Sequence, residues 1–168
     1  MEIVNKVAQS GLLTLDLESL VEDVRIDTFD IKDHLHMEYV LREDDFRASL
    51  DAYDWSVHAG RHLAVTCSND AIVASWAFML VAAKATGIVA DVRYGTADQV
   101  ILEILDGRLD AVDWSAYAGK RVLVKGCGKM NLPQGAYVRA TSRLVAVADR
   151  VMYGEACSFV PVWRRPKG

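Results

Sequence analysis

The sequence predicts an α/β fold: one domain, a mainly parallel sheet with helices on both faces, built from two related βαβ halves. Three observations predict it. Leu50 to Val65 returns as Leu109 to Val124 at a spacing of 59, with nine of sixteen positions identical. A repeat of this length is a whole supersecondary unit used twice. Within each copy (about 50–98 and 109–157) strand-like runs alternate with helical spacing, which implies βαβ crossovers. The chain has 168 residues, enough for one compact domain with a substantial core.

The elements follow in order. Glu2 to Gln9 reads as a short helix, Val24 to Ile31 as a strand, and Arg42 to Leu50 as a helix entering the first copy. Arg61 to Thr66 has strand character. An apolar helix from about Asn69 to Lys84 follows, then a strand over Ala90–Tyr94. Thr96 and Gln99 form a capping box that opens a helix with Val100, Ile101, Ile104 and Leu105 on one side, ended near Gly107. Lys120 to Lys125 is the second copy's strand. Pro133 sits at the first turn of a helix with Ala136, Ala140, Leu144 and Val147 on one face. Arg150 to Tyr153 is a strand, and Pro161 assigns Ser158–Trp163 to a sheet edge.

Composition excludes some functions. A net charge of -4 with interspersed signs argues against a nucleic-acid groove. The amino terminus lacks the pattern of a signal peptide, and the apolar run 71–83 is shorter than the roughly 20 residues that span a bilayer. A cytoplasmic protein without nucleic-acid or membrane partners is expected. Three cysteines there make an odd, reduced set, not a disulfide framework. The 71–83 helix is apolar all round, so either the domain encloses it or it forms a homodimer interface.

The cysteines carry the candidate chemistry. Cys67 and Cys127 each follow the strand of their copy, and Cys157 follows the last strand. Strands of a parallel sheet share one direction, so the three thiols are expected along the carboxyl edge, where α/β folds bind ligands. Cys67 is also expected at the amino end of the apolar helix, capped by Ser68, Asn69 or Asp70, where the dipole favours a thiolate. The expectation is a metal site (zinc, iron or an iron–sulfur cluster) on Cys67, Cys127 and Cys157. Glu155 or Asp70 would supply an oxygen ligand or general base. The competing readings are a nucleophilic Cys67 assisted by Asp70, and cysteines that merely pack.

Other motifs carry less. Gly126-Cys127-Gly128-Lys129 lacks the Ser/Thr of a P-loop and the third glycine of a dinucleotide fingerprint. What survives is a backbone anion nest, with Gly126, Gly128 and Lys129 as cofactor-binding candidates. His58 and His62 precede their strand, opposite the cysteines. His34 and His36 have alternating spacing, but a solvated turn is expected. Trp55 and Trp114, in the twin Asp-Trp-Ser runs, are read as anchors for the loops entering the strands. Tyr153 is near enough to Cys157 to line a pocket.

Several segments together resemble a bacterial family known as domain of unknown function 2480. They are Glu2–Lys6, Gly11–Asp16, Phe29–Asp33, Thr66–Val73 with Trp76-Ala77, Lys125–Cys127, and Val151–Glu155 with Cys157-Ser158. The resemblance runs end to end. A proline is usual in that family where Ala74 and Ala156 stand here, a departure that leaves the thiols in place. The resemblance implies no mechanism. It does imply an association with iron–sulfur assembly proteins, and so a protein accessory to iron–sulfur metabolism.

Overall fold

The computed structural model describes residues 11–126 and 128–168, so the helix expected over Glu2–Gln9, and Cys127, lie outside the described residues. The fold is α/β, with strands in two mostly parallel sheets and, among the described residues, four α-helices. The chain divides into two compact units. A central unit spans Asp23–Ile101, and a terminal unit joins the described residues up to Glu22 with Leu102–Gly168.

In the central unit, β2 (Ile26–Asp30), β3 (His62–Thr66) and β4 (Asp91–Tyr94) form a parallel sheet in the order β2-β3-β4. β3 reads as Leu63-Ala64-Val65 buried between half-buried ends, the continuous apolar run of a strand covered on both faces. Helix α1 (Glu43–Ala52) opens on Glu43, Asp44 and Asp45, favourable at a helix amino end, and buries Phe46 and Leu50. Helix α2 (Ser75–Ala85) buries Ala77, Val81 and Ala85, the spacing of one face. Around them pack Phe29, Ile31, Trp55, Leu63 and Val65.

In the terminal unit, β1 (Leu12–Leu15), β5 (Arg121–Lys125) and β6 (Arg150–Glu155) are parallel, and β7 (Ser158–Arg164) adds antiparallel at the edge. Pro161 sits on that edge strand, as expected. Helix α4 (Gln134–Val147) buries Ala136, Ala140 and Leu144. Helix α3 (Ala97–Asp110) carries the division between the units. Its capping box is present: Thr96 N–H donates to Gln99 Oε1 at 2.8 Å, and Gln99 N–H to Thr96 Oγ1 at 3.3 Å.

Several expectations need correction. The strands form two sheets where one was expected, because β2 pairs with β3 while β1 pairs with β5. Helix α3 does not end near Gly107 but continues to Asp110, since buried Leu109 lies past the glycine. Helix α2 begins at Ser75 and not near Asn69. Residues 67–74 form a loop held by the Asn69 side chain, which accepts from the Ala71 amide and donates to Glu38 O. Nor is the apolar stretch enclosed, for Met79 is 69% and Ile72 94% exposed.

Candidate functional site

The site is built where β1 and β5 end. β1 runs into Asp16, whose Oδ1 accepts from the Glu18 amide at 3.1 Å, turning the chain into a short 3-10 helix. Asp16 Oδ2 takes the Lys125 ammonium at 2.8 Å. That hydrogen bond, the Asp16 charge, and the nearby Glu155 and Glu18 hold Lys125 above the usual lysine range.

Past Lys125 the loop folds over Glu18. Both carboxylate oxygens are used: Oε2 accepts from Lys129 N–H at 3.0 Å and Oε1 from Met130 N–H at 2.8 Å. Consecutive amides aimed at one anion are the geometry of a backbone nest. The anion in it is the protein's own carboxylate. Gly128 is required for this, because a Cβ there would overlap the Glu18 carboxylate. Gly126 is also tight, though less so: a Cβ would come within 2.8 Å of Tyr153 Cζ, and Tyr153 Oη donates to Gly126 O at 3.3 Å.

Beside this loop lies a cavity of about 430 Å³ lined by Gly126, Gly128, Lys129, Asn131, Gln134, Tyr137 and Tyr153 among others. The candidates Gly126, Gly128 and Lys129 therefore do come together. Tyr137 and Tyr153 meet edge to face with ring centres 5.8 Å apart. Burial, then the neighbouring Tyr153, Glu18 and Asp16, push the Tyr137 hydroxyl up, so it stays a neutral donor near neutral pH. Gln134, Tyr137 and Tyr153 also border a second, largely apolar cavity of about 630 Å³ between α4 and β6–β7.

The corresponding end of the central unit is filled differently. Asp30 Oδ1 accepts from the Lys32 amide at 3.1 Å, as Asp16 does from Glu18, and also from the Ser68 amide. Burial works against its charge, but the Ser68 side chain and amide, the Lys32 amide and the Lys32 charge outweigh it and lower its pKa. Asn69 lies 59 residues before Gly128, and its Oδ1 accepts from the Ala71 amide at 3.1 Å. Ala71 precedes Met130 by the same 59. Where the central loop satisfies this amide with its own Asn69, the terminal loop has a glycine and borrows Glu18.

The cysteines are placed as follows. Cys67 is half-buried and its Sγ donates to Asn69 Oδ1 at 3.1 Å. It does not stand at a helix amino end. The cap of α2 is Ala74, with no side-chain hydrogen bond, so Ser68, Asn69 and Asp70 do not cap it. Asp70 is exposed, and the thiol's partner is Asn69. Cys157 is exposed in the turn joining β6 to β7, two residues beyond Glu155. Cys67 belongs to the central unit and Cys157 to the terminal one. Among the described residues, which omit Cys127, no cluster of three or more His, Cys, Asp or Glu could hold a metal ion.

Two histidines lie in structured surroundings. His34 is not in a solvated turn, because its ring stacks on Phe29 at 4.6 Å and its Nδ1 bonds Ser49 Oγ at 2.5 Å. His58 is buried, with Nδ1 2.7 Å from Asp27 Oδ2 and Nε2 2.7 Å from Tyr53 Oη. The tryptophan anchors hold: Trp55 Nε1 donates to Leu50 O at 3.1 Å, and Trp114 Nε1 to Leu109 O at 2.9 Å. Asp16, Glu18 and Asp30 were not singled out from sequence. The signal that finds them is Thr14-Leu-Asp16-Leu against Thr28-Phe-Asp30-Ile, the same strand end written twice.

The chain belongs to the DUF2480 family, described as a protein of unknown function, whose model matches residues 1–165. No curated protein and no solved structure matches it. Among the described residues no helix is long and apolar enough to cross a membrane.

Proposed function

We propose that the chain is a binding module whose ligand is a small hydrogen-bonding molecule held at the carboxyl end of β5 in the terminal unit. One observation supports this above the others. The 430 Å³ cavity is lined by four residues with polar side chains, Lys129, Asn131, Gln134 and Tyr137. The side chains of these four residues make no hydrogen bond or ion pair with another described residue. Convergent polar groups without internal partners, in a concave site at a parallel sheet's carboxyl edge, are what a ligand site offers.

The test is an amide NMR titration of the full chain with acetate, inorganic phosphate, methylammonium and acetamide. Saturable shifts confined to the amides of Gly126–Asn131 and Gln134 are expected from at least one. If no member of the set moves those signals, the reading is wrong.

This reading includes a duplicated scaffold, the two βαβ halves being copies of one unit. His62 and Arg121, Ser75 and Gln134, and Asp91 and Arg150 open corresponding elements, each pair 59 apart. On this account the central copy closed its loop with its own Asn69, and the terminal copy closed its loop with Glu18 from outside it.

A second reading retains the cysteine-ligated metal or iron–sulfur cluster within the terminal unit. What favours it is sequence position: Cys127 lies between Gly126 and Gly128, which line the cavity, and Cys157 follows Glu155 on β6. Iron, zinc and sulfide analysis of protein purified without air tests it. Metal lost on Cys127→Ser is expected, and protein free of metal and sulfide would exclude it.

A further inference from the structure

Two cavities of the terminal unit share a wall. Gln134, Tyr137 and Tyr153 line both the polar cavity of about 430 Å³ and the apolar one of about 630 Å³. The second is walled by Val138, Val145, Met152 and Val162, from α4, β6 and β7. Val138 and Val162 are exposed there, although large apolar side chains left open in a concavity mark binding surfaces. A polar recess opening onto an apolar trough suits one occupant that is polar at one end and apolar along the rest.

The charges around the recess choose its head. Asp16 is paired with Lys125 and Glu18 takes two amides, which offsets part of their charge, although both still push the Tyr137 hydroxyl up. Lys129 is the cation lining the recess without a partner among the described residues, and the Tyr137 hydroxyl, Asn131 and Gln134 add uncompensated donors. The amino end of α4 lies at Gln134, behind Pro133 and without a side-chain cap, adding positive potential on the same side. Resting on the binding-module reading, we propose that the ligand is an amphipathic monocarboxylate. Its carboxylate sits at Lys129 and Tyr137, and its apolar body lies in the trough between α4 and β6–β7.

The full chain is titrated calorimetrically with decanoate, decan-1-ol and acetate, as wild type, Lys129→Ala and Val138→Asn. Both positions are exposed, so neither substitution empties the core. Decanoate binds at a single saturable site. Lys129→Ala weakens decanoate about tenfold, the scale of a charged hydrogen bond, and leaves decan-1-ol unchanged. Val138→Asn weakens both ten-carbon ligands. Acetate binding as tightly as decanoate would overturn the inference while leaving the binding-module reading intact. Decanoate affinity unchanged in Lys129→Ala removes the carboxylate head, and unchanged in Val138→Asn removes the trough. If neither acetate nor the ten-carbon ligands bind saturably, the inference falls, and the reading beneath it stands or falls with phosphate, methylammonium and acetamide.

Discussion

A side chain on Gly128 would occupy the space taken by the carboxylate of Glu18. The loop between β5 and α4 is thus shaped around an acid supplied by the segment after β1. Glu18 takes the Met130 amide there, and in the central unit the corresponding Ala71 amide is closed by Asn69, from within the loop itself.

That exchange predicts a reversal of sign. Glu18→Ala strands two amides and should cost about 1–3 kcal/mol. Gly128→Asn alone should also destabilise, since its side chain meets the carboxylate. In the Glu18→Ala background Gly128→Asn should instead restore stability, acting as Asn69 does. Urea denaturation of the four proteins measures it; additive losses would refute the exchange.

Asp30 is held charged by the Ser68 and Lys32 amides. Its folded pKa lies below the unfolded value, so the stability it contributes is present above that value and lost as pH falls through the folded one. Asp30→Asn should be less stable than wild type at pH 7, and the gap should close in acid. Chemical denaturation across pH 2–7 checks this, and a gap constant with pH would contradict it.

His34 shifts in the same direction, in a higher pH window. Burial lowers its pKa against the opposing charges of Asp33 and Asp30. The unfolded chain then binds the proton more readily, so stability falls as pH drops below about 6.5, the ordinary histidine value. The His34 ring proton, followed by NMR, should titrate below that value. Replacement by Phe, which keeps the stack on Phe29, should flatten the stability profile between pH 7 and 5.

The two tryptophans make the same hydrogen bond in different surroundings. Trp55 is buried against Phe29 at 5.0 Å and Tyr53 at 4.8 Å, whereas Trp114 is half-exposed with Tyr117 at 5.8 Å. Trp55→Phe should cost about 2–3 kcal/mol and Trp114→Phe about 1, the difference being packing around the ring. Equal losses in thermal denaturation would show that the shared bond dominates.

Cys157 is exposed and Cys67 half-buried with a hydrogen bond to Asn69. In a Cys127→Ser background, a thiol reagent should modify Cys157 first and Cys67 several-fold more slowly. A faster Cys67 would revive it as the nucleophile, despite its distance in sequence from the start of α2.

Local physics accounts for what was readable in the sequence. The repeat of 59, the Thr96–Gln99 box, the edge placement of Pro161 and the tryptophan anchors each depend on contacts within one short segment. The α/β class and the gathering of Gly126, Gly128 and Lys129 on one loop follow from the same strand–helix alternation. The start of α2 was misplaced because apolar spacing continues through Ala71–Ala74, while the Asn69 side chain ties that stretch to Glu38.

Tertiary structure alone decided which strand pairs with which, and so that there are two sheets. It also decided that Glu18, 111 positions from Lys129, fills the nest. Periodicity shows which face of an element is buried and is silent on what meets it. Partners so distant in sequence are selected only when strands align side by side and the polar groups at their ends must find one another.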